Sequence, residues 1–267
     1  MPKCRYAIRL AYDGRPFRGF ARQPGLATVE DALRGALRAC GVEGAMAVAA
    51  RTDAGVHALS QVVSVSTSRH IDPDRLRAEL NRGLPGEILC LEVRSVAASF
   101  HARASALSRR YAYLVGAPPP AGLVPYAWTL PDERAFPGVR GGSLDVDAMR
   151  AALAPAIGRH DFAGFARPGA QRETIRELLA VEVVAAASEP LVAIVLEGTG
   201  FLRAMVRNLA GTAVTVGLGL APTTAVADIL RSPARYRGVR APGWGLTLVE
   251  VKYPPAAWGA ERPPEGA

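Results

Sequence analysis

Residues 46–66 read MAVAARTDAGVHALSQVVSVS. Two short runs, Met46 to Ala50 and Val62 to Ser66, predict strands, and the polar stretch Arg51 to Ala58 lies between them. Upstream, Arg5 to Tyr12 is an extended run, followed by a polar, Gly-rich connection from Asp13 to Ala27. A helix is then expected from Thr28, an N-cap candidate with Asp31 three residues on, because Val29, Leu33, Ala36 and Leu37 fall on one face. Downstream, Asp72 and Pro73 open a second helix through Leu76 and Leu80, and Ile88 to Val96 closes the unit as a strand. The order is β-α-β-β-α-β, which is ferredoxin-like.

From Ser108 the order begins again. A strand is expected at Arg110 to Val115, then a Pro/Gly-rich excursion without periodicity from Ala117 to Ser143. A helix runs from Asp145 to about Ile157, strands cover Arg176 to Val184 and Val192 to Glu197, helical positions occupy Phe201 to Val216 and Thr223 to Leu230, and the last strand is Leu246 to Tyr253. The expected fold is therefore α+β, with two ferredoxin-like (RRM-like) halves in a pseudo-two-fold arrangement around a central cleft. The expected domains are 1–104 and 105–267, and the Pro/Gly-rich tail from Pro254 to Ala267 is expected to fray.

Composition narrows the function classes. A chain of 267 residues with 49% hydrophobic content is neither disordered, collagenous nor a miniprotein. The weakly polar run Leu209 to Ala221 is too short for a bilayer, which needs about 20 apolar residues. Lys3, Arg5 and Arg9 interrupt what would be the apolar part of a signal peptide, so a cytoplasmic protein with no membrane contact is expected. Cys4, Cys40 and Cys90 are odd in number and widely spaced, which fits reduced thiols rather than a disulfide framework or zinc knuckle. The net charge is +8, and Lys3 and Lys252 are the only lysines among 32 basic residues. GC-rich coding accounts for part of that arginine preference, but less for the surplus over acids, which suggests a polyanionic partner.

The chemistry-bearing motifs are sparse. His57, His70, His101 and His160 show no metal-ligand spacing, and GxxxxGK[ST], GxGxxG after a strand and GxSxG are all absent. What remains is a site of carboxylate, Tyr and Arg with no cofactor. Its densest polar cluster is Arg51-Thr52-Asp53-Ala54-Gly55-Val56-His57. A carboxylate there would be held at a sheet edge and kept ionised by a neighbouring cation. An Asp-x-Gly turn also uses these residues, and spacing alone favours that plain turn.

In its context the cluster resembles the central motif of the tRNA pseudouridine synthase family. Tyr12-Asp13-Gly14 with Phe17 and Gly19 is similar to the family's opening segment, and Gln61-Val62-Val63 follows the central motif. NRGLPGEI from Asn81 to Ile88 is similar to the close of the first half, and Phe100 to Ala106 to the domain junction. Arg110-Tyr111-Ala112-Tyr113 resembles the tyrosine motif, Gly200 to Asn208 the arginine motif, and Ala241 to Pro254 the terminal strand. The matches run from about Tyr6 to Pro254. The sequence departs at Phe20-Ala21, where the family has Trp-Gln, at Ala50, where Gly is common, and in the longer stretch Ala117 to Ser143.

The resemblance implies conversion of uridine to pseudouridine in the tRNA anticodon stem-loop, at positions 38, 39 and 40, without cofactor or metal. It implies that Asp53 is the catalytic aspartate, attacking the ribose C1′ or the base C6. Tyr111 would stack on the flipped base and help remove the C5 proton, Arg207 would pair with the aspartate, and Arg51 would hold the target nucleotide out of the stack. His57 would be structural or touch RNA. A homodimer gripping one tRNA across both subunits is also implied. Without the resemblance, Tyr111 is a strand residue with an exposed face and Arg207 a solvated helix arginine.

If Arg15, Arg18 and Arg22, Arg103, Arg109 and Arg110, and Arg231, Arg235, Arg237 and Arg240 converge around the cleft, they form a phosphate track, and if they scatter, they are ordinary solvated charge. A second expectation, a non-catalytic RNA-binding protein of two RRM-like units, lacks the RNP aromatics. A glycoside hydrolase would need a second acid near Asp53, and the motif contains none.

Overall fold

In the computed structural model, which describes residues 4–141, 143–167, 173–232 and 238–258, β1 (Cys4–Tyr12) shows how unit 1 acquires its core. Tyr6, Ile8, Leu10 and Tyr12 alternate along it and are all buried. They share the interior with Leu33 and Leu37 of α1 (Val29–Ala39) and Leu76 and Leu80 of α2 (Pro73–Gly83). Both helices begin where their caps dictate. The Thr28 hydroxyl accepts from the Asp31 N–H at 3.2 Å, and the Asp72 carboxylate accepts from the Arg75 N–H at 2.9 Å. Strands β2 (Met46–Val48), β3 (His57–Thr67) and β4 (Ile88–Ser95) complete the expected β-α-β-β-α-β order. β1 lies between β3 and β4, antiparallel to both, with Tyr6 opposite Val65 and Ile8 opposite Val63. β2 is shorter than expected and β3 starts five residues earlier, so His57 opens a strand rather than lying in the connection.

Unit 2 contains β5 (Ser108–Gly116) from Arg110 on, β6 (Trp128–Thr129), α3 (Val146–Leu153), β7 (Gly158–Asp161), β8 (Ile175–Ala185), β9 (Leu191–Gly198), α4 (Met205–Gly217) and α5 (Ala225–Arg231). Its strands run in the order β5-β9-β8-β7, with β6 parallel to β5. This is again mixed α and β structure, but four features differ from the sequence expectation. The stretch 117–143 holds a 3-10 turn and β6, organised around Trp128, which stacks on Phe136 at 5.5 Å and donates its indole N–H to Asp132 at 2.7 Å. β7 was not expected, since its sequence GRHD has no apolar residue to alternate. α3 ends at Leu153 and gives way to a 3-10 turn containing Pro155. α4 starts at Met205, not Phe201, because Ala204 adopts a left-handed conformation with φ +66°.

The last strand, β10 (Leu246–Lys252), leads back into unit 1, where it lies beside β3. The units are Met1–Arg109 with Leu248–Ala267, and Arg110–Thr247, so the chain end departs from a simple cut at 104/105. Residues 255–258 do not fray. They form a single turn, α6 (Pro255–Trp258), with Trp258 stacked on Tyr253 at 5.3 Å. Residues 259–267 lie outside the described residues, as do Met1 to Lys3.

Candidate active site

The connection Ala49–Val56 in unit 1 carries Arg51 and Asp53, and its neighbours hold it from several sides. Gln61 in β3 is fully buried. Its Oε1 accepts from the Ala50 N–H at 3.3 Å, and its Nε2 donates to the Ala50 carbonyl at 2.7 Å and to the Tyr12 hydroxyl at 3.2 Å. That hydroxyl is 2.8 Å from Thr52 Oγ1, and the Phe20 N–H donates to the Thr52 carbonyl at 3.0 Å. Burial raises the Tyr12 hydroxyl to about 12, so it keeps its proton and can serve both partners. Beyond Asp53 the chain turns sharply. The Val56 N–H donates to the Asp53 carbonyl at 3.2 Å, and Gly55 sits at φ +76°, where a side chain would be strained. The outcome is a fixed backbone carrying a half-buried Asp53 and an exposed Arg51.

His57 is buried at the start of β3. Its Nδ1 accepts from the Gly14 N–H at 3.1 Å and lies 3.3 Å from Asp13 Oδ1. Arg15 grips Asp13 at 2.5 Å, and its hydrogen bonds hold the Asp13 carboxyl below the usual range. The opening segment is thereby tied to the connection that bears Asp53.

Unit 2 positions the other two residues. Tyr111 is on β5, buried on the same face as Tyr113 and Val115. Its ring meets Phe201 edge-on, with centroids 5.2 Å apart. Arg207 is the third residue of α4, half-buried, and its Nε donates to the Ala241 carbonyl at 2.8 Å. Ala241 returns the bond, its N–H donating to the Arg207 carbonyl at 3.2 Å. One residue on, Asn208 is buried and donates to the Phe165 carbonyl at 2.7 Å. Arg51 and Asp53 thus share one connection of unit 1, while Tyr111 and Arg207 belong to separate elements of unit 2.

The expected phosphate-binding arginines divide. Arg18, Arg103 and Arg240 are exposed. Arg15, Arg22, Arg110 and Arg231 pair with Asp13, Asp31, Glu182 and Asp228. Arg235 and Arg237 lie outside the described residues. Arg109 is a correction, being 6% exposed, with its guanidinium donating to the carbonyls of Ala49, Arg103 and Ala106. It braces the start of the Asp53 connection, a role that no spacing in the sequence indicates. Gln61 carries a clearer signal, as an amide directly before the apolar run VVSV that must find partners once buried.

The sheet face of unit 1 opposite α1 and α2 is where RRM-like sheets stack bases. There the Arg5 guanidinium donates to the Phe100 carbonyl at 2.8 Å, and the Ala102 N–H donates to Ser64 Oγ at 3.1 Å. Trp258 lies over the Arg9 guanidinium at 4.8 Å. This part of the face is covered by the chain itself. No helix among the described residues is long and apolar enough to cross a membrane.

Residues 152–254 match the family described as tRNA pseudouridine synthase. Over more than nine-tenths of its length the chain is also similar to proteins named tRNA pseudouridine synthase A. One from Frankia casuarinae is 39% identical, over 94% of this chain and 90% of that protein. One from Thermus thermophilus is 39% identical over 94% and 97%, and one from Syntrophotalea carbinolica 36% over 92% and 95%.

Proposed function

Because the chain belongs to the tRNA pseudouridine synthase family and isomerises uridine in tRNA, we propose that Asp53 is its nucleophile and that its targets are positions 38, 39 and 40 of the anticodon stem-loop. The observation that carries the assignment is the locking of the backbone on both sides of Asp53, by Tyr12, Gln61 and Arg109 before it and the Gly55 turn after it. A nucleophile on so fixed a support needs little reorganisation to reach a bound base.

The reaction balances with protein groups alone. Asp53 attacks the ribose C1′ or the base C6. In either route the C1′–N1 bond breaks, the base turns, a C1′–C5 bond forms, the bond to Asp53 breaks and frees its carboxylate, C5 loses its proton and N1 ends protonated. Nothing is oxidised and no group comes from a donor, so no cofactor takes part. Arg207 offsets the negative charge that Asp53 brings to the site as nucleophile. Extruding the target costs a few kcal/mol, and stacking on Tyr111 returns about 1–3 kcal/mol of it. Tyr111 is also the candidate base for the C5 proton, and Arg51 holds the nucleotide out of the stack. Two ferredoxin-like halves, a homodimer gripping one tRNA across both subunits and a cytoplasmic setting belong to the same reading.

The test is tritium release from tRNA labelled with [5-³H]uridine, with the modified positions mapped afterwards. Wild type should release label from the anticodon arm, and Asp53→Ala and Asp53→Asn should release none while still binding tRNA. Release by either variant at the wild-type rate would overturn the assignment of the nucleophile.

A further inference from the structure

Trp244 is the one exposed tryptophan, at 46%, against 1% for Trp128 and 8% for Trp258. It forms the middle of a 3-10 turn, Gly243–Gly245, whose two glycines are buried. The turn is anchored to both elements of unit 2 that carry the proposed site residues. Pro242 accepts a hydrogen bond from the Tyr113 hydroxyl at 3.1 Å, and a Cβ at Gly245 would stand 2.6 Å from Tyr113 Cζ, so the turn lies directly on that ring. Tyr113 is two residues along β5 from Tyr111 and on the same face. At the other end, Ala241 exchanges two hydrogen bonds with Arg207. Nearby in sequence, Arg240 is exposed while its Nε bonds Asn208 at 3.1 Å.

We propose that Trp244 stacks on a base of the tRNA next to the target uridine and so helps to select the substrate. An indole presented to solvent from a rigid turn loses little entropy when it captures a flat partner. Any base offers such a face, and base–aromatic stacking tolerates sequence differences. The surplus of positive charge favours a nucleic acid over an apolar peptide as the occupant. The inference rests on the proposed reaction, because it takes Tyr111 and Arg207 to mark where the target base lies.

The experiment compares wild type, Trp244→Phe and Trp244→Ala by tritium release over a range of tRNA concentrations. Each is also titrated with unlabelled tRNA while tryptophan emission is followed. Trp244→Ala should raise KM by about five-fold or more, with the loss falling on KM rather than kcat. Trp244→Phe should stay within about two-fold of wild type, because the phenyl ring still stacks. Emission should be quenched by tRNA in wild type and far less in Trp244→Phe, whose remaining tryptophans are buried. An unchanged KM in Trp244→Ala beside an active wild type would overturn the proposal. So would a KM change that accompanies loss of a dimer on gel filtration, since Trp244 would then be a subunit contact. If wild type releases no tritium, the proposed reaction fails instead, and the quenching titration alone decides whether Trp244 meets RNA.

Discussion

The hydroxyls of Tyr12 and Thr52 lie 2.8 Å apart in the interior of unit 1, joining residues 40 apart in the chain. Thr52 immediately precedes Asp53, so this bond sets where the proposed nucleophile starts. Tyr12→Phe keeps the ring packing but leaves Gln61 Nε2 and Thr52 Oγ1 without their shared partner. Losing such buried bonds costs about 1–3 kcal/mol. Urea denaturation should show that loss of stability, and kcat should fall more than KM rises, since the connection loosens without touching tRNA. A Tyr12→Phe enzyme with wild-type kcat would mean that Asp53 is held by other contacts.

Arg207 combines a charge with a directed bond, and the two can be separated. Its Nε donates to the Ala241 carbonyl at 2.8 Å. Lysine retains the charge but cannot reproduce a planar guanidinium that donates sideways while its end points elsewhere. Arg207→Lys should therefore lose at least about ten-fold in kcat, or roughly 1.4 kcal/mol. Arg207→Ala should lose considerably more. Equal activity of the lysine variant and wild type would show that charge alone suffices.

The elements that could be read locally are those fixed by local chemistry. Thr28 and Asp72 announce their helices because a side-chain oxygen caps amides only three residues on, and β1 alternates because one of its faces is buried. The features that escaped are set by contacts distant in sequence. β7 is a polar edge strand placed by its pairing with β8, where His160 lies opposite Arg176. Segment 117–143 has no period because its packing converges on the single ring of Trp128. Arg109 looks like any other basic residue until three carbonyls surround its guanidinium. The site motif is legible as a string of residue types, whereas the roles of Gln61 and Tyr12 as its supports emerge only when β1 and β3 are paired.

Ala204, at φ +66° and ψ 0°, is the only non-glycine with positive φ among the described residues. It caps α4 three residues before Arg207. The left-handed conformation costs an alanine roughly 1 kcal/mol, and glycine would relieve that while adding a similar entropy to the unfolded chain. Ala204→Gly should thus change stability by less than about 0.5 kcal/mol, and Ala204→Val, β-branched and crowded, should destabilise by more than about 1 kcal/mol. Valine should also lower kcat, because a shifted first turn of α4 moves Arg207. Paired urea melts and tritium-release rates check both outcomes, and a valine variant as stable as wild type would show that the turn relaxes freely.

Asp13 gives the protein a dependence on acid whose sign follows from its partners. Hydrogen bonds from Arg15 are the largest influence and hold its carboxyl below the ordinary range, with burial opposing and His57 assisting. A carboxyl whose pKa is depressed on folding contributes its full stability above its unfolded value, about 3.9, and loses that contribution as pH falls through the lower folded value. Because Arg15 is largely solvated, the contribution at neutral pH is modest, at most about 1 kcal/mol. Asp13→Asn should therefore melt below wild type at pH 7, and the gap should narrow as the pH is lowered from about 4 towards 2. Thermal melts of both proteins across that range make the comparison. A gap that stays constant at every pH would assign the effect of Asp13 to the shape of the opening turn, where its Oδ1 accepts from the Arg15 N–H at 3.0 Å, rather than to its charge.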